Sequence, residues 1–401
     1  MEYVRLKDIG RIVTGNTPPT SKPEYYGDYM PFIKATDIPL GAKCTLYTEQ
    51  SYSKLAAEKY KESLVPKGST CVVTIGSIGK KMTYAHTDLF VNQAINAIVP
   101  KNSYDKEYVY YDVKYSVLPQ LKKLDSGTTS GRENVSKSSF SSIRIPIIRD
   151  KNIQHRIASI LSTYDSLIEN NTKRIRLIEK MAENLYKEWF VRFRFPGHEK
   201  VEMENGLPKG WKYFKIEELC DINKRTIKLA KAPKEIIYLD TGSITCGRIS
   251  GLDLVRLVDA PSRARRLVKH NSIVYSTVRP NLKHYGILKE PASNMVVSTG
   301  FAVLDCKYDI ANIVYLALSH PVIYTYCASI ADCAVATYPS IKPKDIGKIA
   351  IPLPSLDIAI KWDKKVENFY GEMKNLQQQN TLLARQRDLL LPRLMSGKLE
   401  V

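Results

Sequence analysis

The sequence predicts an α+β fold written twice: two homologous α/β domains, each followed by a long amphipathic helix, the two helices pairing antiparallel as a coiled coil about a pseudo-two-fold axis. Three observations carry this expectation. Motifs recur at an offset of about 206 residues, two long stripes of apolar residues alternate by four and three, and short β-rich runs are cut by Gly, Pro, Ser and Asn turns. The expected divisions are a first domain at 1–147, a first helix within 148–195, a second domain at 196–352 and a second helix within 353–401.

The repeat is read from four matches in the same order. Leu6-Lys7-Asp8-Ile9 answers Ile216-Glu217-Glu218-Leu219. Leu64 to Ser69 and the apolar run Cys71 to Ile75 answer Leu267 to Ser272 and the run Ile273 to Val278. Val91-Asn92-Gln93-Ala94 answers Val297-Ser298-Thr299-Gly300, each opening an apolar strand-like run. Phe140 to Ile147 answers Ile346 to Leu353, each holding an Ile-Pro pair. One such match arises easily by chance; four in register do not.

Each half ends in a helical stripe. In the first, Ile157, Tyr164, Asn171, Ile178 and Leu185 head a face that runs on to Trp189; in the second, Phe369, Leu376, Leu383 and Leu390 do the same, with Arg387 on the face. At 1.5 Å per residue each helix is on the order of 50 Å long, too long for one small domain to bury, so the two stripes need one another. One asparagine lies on each stripe, Asn171 and Asn380. That fits either a register-setting pair or a solvated, frayed spot.

Composition narrows the function classes. The chain has 401 residues, 60 Lys plus Arg against 41 Asp plus Glu, and a net charge of +19, which favours a polyanionic partner, nucleic acid first. Hydrophobic residues make up 44%, ordinary for packed domains. Seven scattered cysteines without a CxxC pair read as reduced thiols, which fits a cytoplasmic protein, and no run approaches the ~18 apolar residues of a membrane span.

Catalytic motifs are missing or broken. No two glycines stand two apart, so a GxGxxG dinucleotide or S-adenosylmethionine loop cannot form. Asn16-Thr17-Pro18-Pro19 is similar to an amino-methyltransferase motif, but Thr17 interrupts it. Gly76 to Lys81 resembles the end of a phosphate loop yet lacks its upstream glycine and its Ser/Thr. Asp112 and Asp305, each followed two residues later by Lys, fit half of a nuclease pattern and read better as solvated charges. A metal site is not expected.

Binding signals are stronger. Between Asp259 and Glu290 there is no acid, while Arg263, Arg265, Arg266, Lys269, Arg279, Lys283 and Lys289 alternate with aromatic residues. The counterpart between Glu62 and Asp88 is also acid-free and carries Lys67, Lys80 and Lys81. Two matched basic windows suit two DNA-contacting modules, since Lys and Arg neutralise phosphates and Arg reads guanine edges. The candidate contacts are Ser77, Lys80, Lys81, Arg132 and Asn134 in the first module, and Arg263, Arg265, Arg266, Arg279, Asn281, Lys283 and Tyr338 in the second. Arg132, Asn134 and Tyr338 lie in hydroxyl-rich turns at equivalent positions of the two halves.

With these residues in view, the chain resembles the specificity subunit of type I restriction–modification systems along its whole length. The marks are Leu6 to Gly10 followed by Thr14 to Pro18, Gly76 to Lys80 then Val91-Asn92-Gln93, and Ile153-Gln154-His155-Arg156-Ile157 after the Ile-Pro strand. Leu185 to Phe190 and Leu389 to Leu399 close the two helices. The second half departs in having Thr277 to Lys283 where the first has Gly-Ser-Ile-Gly-Lys, and Asp357 to Ile360 at the helix start. The resemblance implies two target-recognition domains, each binding part of a split asymmetric target in double-stranded DNA, with the helix pair as spacer and docking surface. It implies a non-catalytic chain that serves DNA methylation and antiviral restriction. The partners it implies are two methyltransferase subunits and, through them, restriction subunits. S-adenosylmethionine, ATP and magnesium would bind those partners, and no membrane is involved.

Overall fold

The computed structural model describes residues 2–125, 133–228, 232–332 and 339–401. The chain forms two compact units, one of Met1–Arg174 with Asn375–Val401, the other of Ile175–Lys374. Compactness therefore divides the chain within the two long helices, each of which gives one part to either unit.

In the first unit β1 (Glu2–Arg5) leads into the single turn α1 (Leu6–Ile9), then β2 (Gly10–Thr14), β3 (Tyr26–Gly27), β4 (Met30–Ile33) and β5 (Gln50–Tyr52). After α2 (Lys54–Lys59) come β6 (Thr70–Val73), β7 (Met82–Tyr84), β8 (Phe90–Val91) and β9 (Ile95–Pro100). Helices α3 (Lys106–Asp112), α4 (Leu118–Leu121) and α5 (Lys137–Ser142), strand β10 (Arg144–Ile147) and the long helix α6 (Lys151–Tyr186) complete the series. Short polar side chains start the short helices: Ser53 accepts from the Ala56 amide, Asp105 from Tyr108 and Ser136 from Ser139.

Two four-stranded sheets result, in the orders β2-β9-β6-β7 and β3-β5-β4-β8, while β1 pairs antiparallel with β10. β4 and β8 run parallel, which the connection through β5 to β7 permits. Strands β6 and β9 are buried almost throughout, as continuous apolar runs require. Leu6, Ile9, Phe140, Ile145, Ile157 and Leu161 form one core with Leu391 and Leu394 of the last helix.

The second unit repeats the plan. A small hairpin, β11 (Met203–Glu204) with β12 (Leu207–Pro208), precedes β13 (Lys212–Lys215), α7 (Ile216–Leu219), β14 (Cys220–Ile222) and β15 (Glu235–Leu239). The hairpin β16 (Ile244–Thr245) with β17 (Arg248–Ile249) leads to β18 (Asp253–Arg256), β19 (Ala264–Leu267), β20 (Ser272–Ser276) and β21 (Tyr285–Leu288). Then follow β22 (Met295–Ser298), β23 (Phe301–Cys306), α8 (Ala311–Leu318), α9 (Pro321–Asp332), α10 (Pro343–Gly347), β24 (Ala350–Leu353) and the second long helix α11 (Leu356–Met395). The sheet β14-β23-β20-β21 matches β2-β9-β6-β7 strand for strand, β13 pairs with β24 as β1 does with β10, and β15 and β22 are parallel as are β4 and β8. The repeat inferred from sequence is thus a repeat of topology and register.

Within each unit the long helices run antiparallel. In the first, Asp165 and Asn171 of α6 meet Arg387 and Gln379 of α11; in the second, Tyr186 and Phe190 pack on Trp362 with ring centroids 6.3 and 5.0 Å apart. Of the stripe positions, Ile157, Asn171, Ile178 and Leu376 are buried, and Tyr164, Leu185, Phe369, Leu383 and Leu390 are half-buried. Asn171 Nδ2 donates to Gln379 Oε1 at 3.3 Å, and Asn380 Nδ2 to Thr172 Oγ1 at 3.4 Å, so both asparagines bond between the helices. No single helix among the described residues is long and apolar enough to cross a membrane.

Candidate nucleic-acid interface

The β6–β7 connection, Thr74 to Lys81, is the centre of the site in the first unit. Gly76 and Gly79 take φ of +85° and +69°, left-handed values that glycine adopts without steric cost. The loop is held at both flanks by backbone bonds. Thr74 N donates to the Ala94 carbonyl at 2.8 Å, Gly76 N to Glu133 at 2.9 Å, and Val135 N to Thr74 at 2.8 Å. Ile78 is buried beneath it, which leaves Ser77 and Lys80 exposed, while Lys81 Nζ turns back to the Ala35 carbonyl at 3.0 Å.

Two neighbouring turns join this loop. Gly15 N bonds to Ile95 and Asn16 N to Val91, and a Cβ at Gly15 would lie 2.2 Å from the Val91 and Asn92 carbonyl oxygens, so only glycine fits. This close approach sets Thr17 beside Gln93, whose side-chain oxygen accepts from the Thr17 hydroxyl. Below them Thr14 Oγ1 donates to Asn96 Oδ1 at 2.7 Å and Asn96 Nδ2 to Thr74 Oγ1 at 2.8 Å, a buried relay that fixes the three strand ends together.

The second unit builds the same arrangement from different side chains. In the β20–β21 loop Thr277 N donates to Gly300, Arg279 N to Pro339 and Ile341 N to Thr277, each at 2.9 Å. These repeat the Thr74–Ala94, Gly76–Glu133 and Val135–Thr74 bonds, and the isolated bridge Val278–Ser340 repeats Ile75–Asn134. Arg279 and Lys283 take φ of +48° and +58° around the single turn Pro280–Leu282. Arg279 and Asn281 are exposed, and the Lys283 ammonium lies 4.6 Å from the centre of the Tyr324 ring. Arg263 is exposed, and its carbonyl accepts from Thr299 N at 2.8 Å, which ties it to the same end of the unit. Arg265 and Arg266 on β19 are half-buried, and Arg266 Nη1 bonds to the Asn223 carbonyl at 3.2 Å.

The structure thus gathers Ser77, Lys80, Lys81 and Asn134 in one loop cluster, and Arg263, Arg279, Asn281 and Lys283 in the other. Arg132 and Tyr338 lie outside the described residues. Two expectations are corrected. Asp112 and Asp305 are not solvated charges: both are buried, Asp112 bonded to the Ser116 hydroxyl and Asp305 to Ser272 and Arg225. Burial pushes the Asp112 carboxyl up to about 7. Lys289, part of the basic window, points inward to Asn271, Asn312 and Glu367 at 2.5, 2.8 and 2.6 Å, and burial lowers its pKa.

Composition gave no hint of Thr17 and Gln93, which the fold brings together beside the first loop. The signal that finds them is the repeated hydrogen-bond pattern, not charge. Both loops, Thr74–Lys81 and Thr277–His284, are free of acids and offer amide, hydroxyl and cationic donors, a set suited to phosphate oxygens and base edges. No group of three or more His, Cys, Asp or Glu side chains converges as a metal site among the described residues.

Comparison with known proteins finds proteins similar to this chain. The model of the type I restriction modification DNA specificity domain matches residues 1–180. The specificity subunit of the MjaIX type I restriction enzyme of Methanocaldococcus jannaschii is 27% identical over 99% of this chain and 93% of its own length. The MjaVIII specificity subunit of the same organism is 24% identical over 100% of this chain and 93% of its own. The HindI specificity subunit of Haemophilus influenzae is 31% identical over 44% of this chain and 38% of its own. Among solved structures, the type I restriction–modification S subunit from M. genitalium has the same fold, with a TM-score of 0.56 at 18% identity over 98% of this chain and 95% of that one.

Proposed function

This chain belongs to the family of type I restriction–modification DNA specificity subunits, and from that membership we propose how its doubled site reads DNA. It is the DNA-recognition subunit of its system and not itself the catalyst. Each unit is a target-recognition domain that reads one part of a bipartite, asymmetric target in double-stranded DNA. The observation that carries this reading is that two equivalent, acid-free loops keep identical backbone bonds while their side chains differ. A reader of two unlike half-sites needs that combination: one scaffold, two sets of contacts.

In this reading affinity comes from charge and sequence from a few side chains. Lys80, Lys81, Arg265, Arg266 and Lys283 neutralise phosphates, and Arg132 and Tyr338 add to these contacts. Ser77, Asn134, Arg263, Arg279 and Asn281 reach bases or sugar edges. The catalytic partners are two methyltransferase subunits, with restriction subunits attached through them. S-adenosylmethionine binding belongs to the former, and ATP- and magnesium-dependent steps to the latter. The boundaries 1–147 and 196–352 for the readers, with 148–195 and 353–401 for the helices, belong to the same proposal.

The test is methylation mapping of the host genome with and without the gene. The expected result is an adenine-methylated sequence in two blocks separated by an unread spacer, present only when the gene is intact. A methylome that does not change on deletion refutes the proposal.

A further inference from the structure

We propose that Arg279 reads a guanine edge in the half-site of the second unit; the inference rests on the DNA-reading function proposed above and goes on to assign one side chain its base. The two units supply an internal comparison. Arg279 N donates to the Pro339 carbonyl as Gly76 N donates to Glu133, both at 2.9 Å, and the bridges Val278–Ser340 and Ile75–Asn134 stand beside them. The two residues therefore occupy the same backbone position of the same loop.

At that position the backbone is left-handed in both units, with φ of +85° at Gly76 and +48° at Arg279. Glycine meets this requirement without steric cost, whereas an L side chain crowds its Cβ against the following carbonyl. The first unit shows that the loop closes without a side chain here. The second unit keeps an arginine, exposed to solvent, on a backbone that a glycine would hold with less strain. Strained positions that persist concentrate at functional sites.

The residue type selects the ligand chemistry. A guanidinium presents parallel N–H donors in a fixed fork, which match the O6 and N7 acceptors of guanine in the major groove. A phosphate would accept a lysine nearly as well; a guanine edge read by two bonds would not.

The experiment uses the full-length chain together with the subunits that co-purify with it. A library of duplexes with a randomised central region is selected on wild type, Arg279→Gly and Arg279→Lys, and the bound fraction is sequenced. Melting temperatures are taken on the same samples. Wild type is expected to recover two blocks of specified bases. Arg279→Gly, which copies the first unit, should melt no lower than wild type and lose preference at one G·C pair of one block by about 5- to 140-fold, the other block being unchanged. Arg279→Lys should keep overall affinity yet lose the same base preference. The proposal is overturned if Arg279→Lys retains that preference, or if Arg279→Gly weakens all duplexes alike, or if its effect follows a fall in melting temperature. Recovery of no motif by wild type overturns the DNA-reading function itself, and the inference with it.

Discussion

Substitution of Arg387 by methionine tests how the first unit is held together on its helices. Arg387 lies in α11 with 1% of its surface exposed, and its guanidinium pairs with Asp165 of α6, itself 4% exposed. The same guanidinium donates to the Gly41 carbonyl at 3.2 Å and to Asp388 at 3.0 and 3.2 Å, and the Tyr111 hydroxyl of α3 donates to Asp165 at 2.5 Å. One charge cluster thus joins both helices, α3 and the segment around Gly41. Removing one member of a buried pair leaves the other charged and unsolvated, at a cost of about 3–5 kcal/mol. For a unit of roughly 200 residues, at about 2–4 °C per kcal/mol, Arg387→Met should lower the melting temperature of the first unit by about 6–20 °C. Removing both charges, Asp165→Leu with Arg387→Met, should recover most of that loss, short of about 1–2 kcal/mol for the Tyr111 hydroxyl left without an acceptor. Hydrogen exchange of peptides around Tyr111 follows the first unit. Tryptophan emission gives an internal reference, because Trp189, Trp211 and Trp362 all lie in the second unit. A single variant no worse than a surface arginine change, or a double variant no better than the single, would refute the reasoning.

Other perturbations follow from the same geometry. Asp112 is fully buried, and its carboxyl is raised from an ordinary 3.8 to about 7. A raised folded value means its contribution is complete below about pH 4, declines as the unfolded chain ionises and the folded one does not, and is lost by about pH 7. Asp112→Asn should remove that slope, so the variant gains on wild type by about 4 kcal/mol between pH 4 and 8 in urea titrations; parallel curves would contradict it. Lys80→Ala should reduce the slope of log affinity against log salt by about 0.9, read by fluorescence anisotropy on a duplex carrying the mapped target. Lys289→Met should leave that slope unchanged and instead lower the melting temperature of the second unit, since its ammonium is bound internally. Gly15→Ala should cost about 1–3 kcal/mol through the clash with the Val91 and Asn92 carbonyls, and should relax reading of the first half-site without affecting the second.

Much of the architecture was legible because it depends on local periodicity. The four-and-three stripes mark a helix whichever neighbour it meets, and the Ile-Pro and Val-Asn-Gln matches keep their order because each half must rebuild the same sheet. The loops were legible as charge but not as contacts. Arg387 shows why: in sequence it stands on an apolar face, and only the opposing helix supplies Asp165, 222 positions away along the chain. Asp112 reads as polar, yet three-dimensional packing encloses it. Lys289 reads as one cation among seven in its window, yet Asn312 and Glu367 draw it inward.

The sequence by itself determined the duplication, the paired stripes and the excess of positive charge, since each is a property of spacing or of sums that survives any folding. Tertiary structure alone decided which of those cations face outward and which backbone positions are left-handed. It also decided that Arg279 and Gly76 occupy the same place. Those depend on contacts between residues distant along the chain, where burial and hydrogen bonding to a specific partner outweigh what any side chain favours alone.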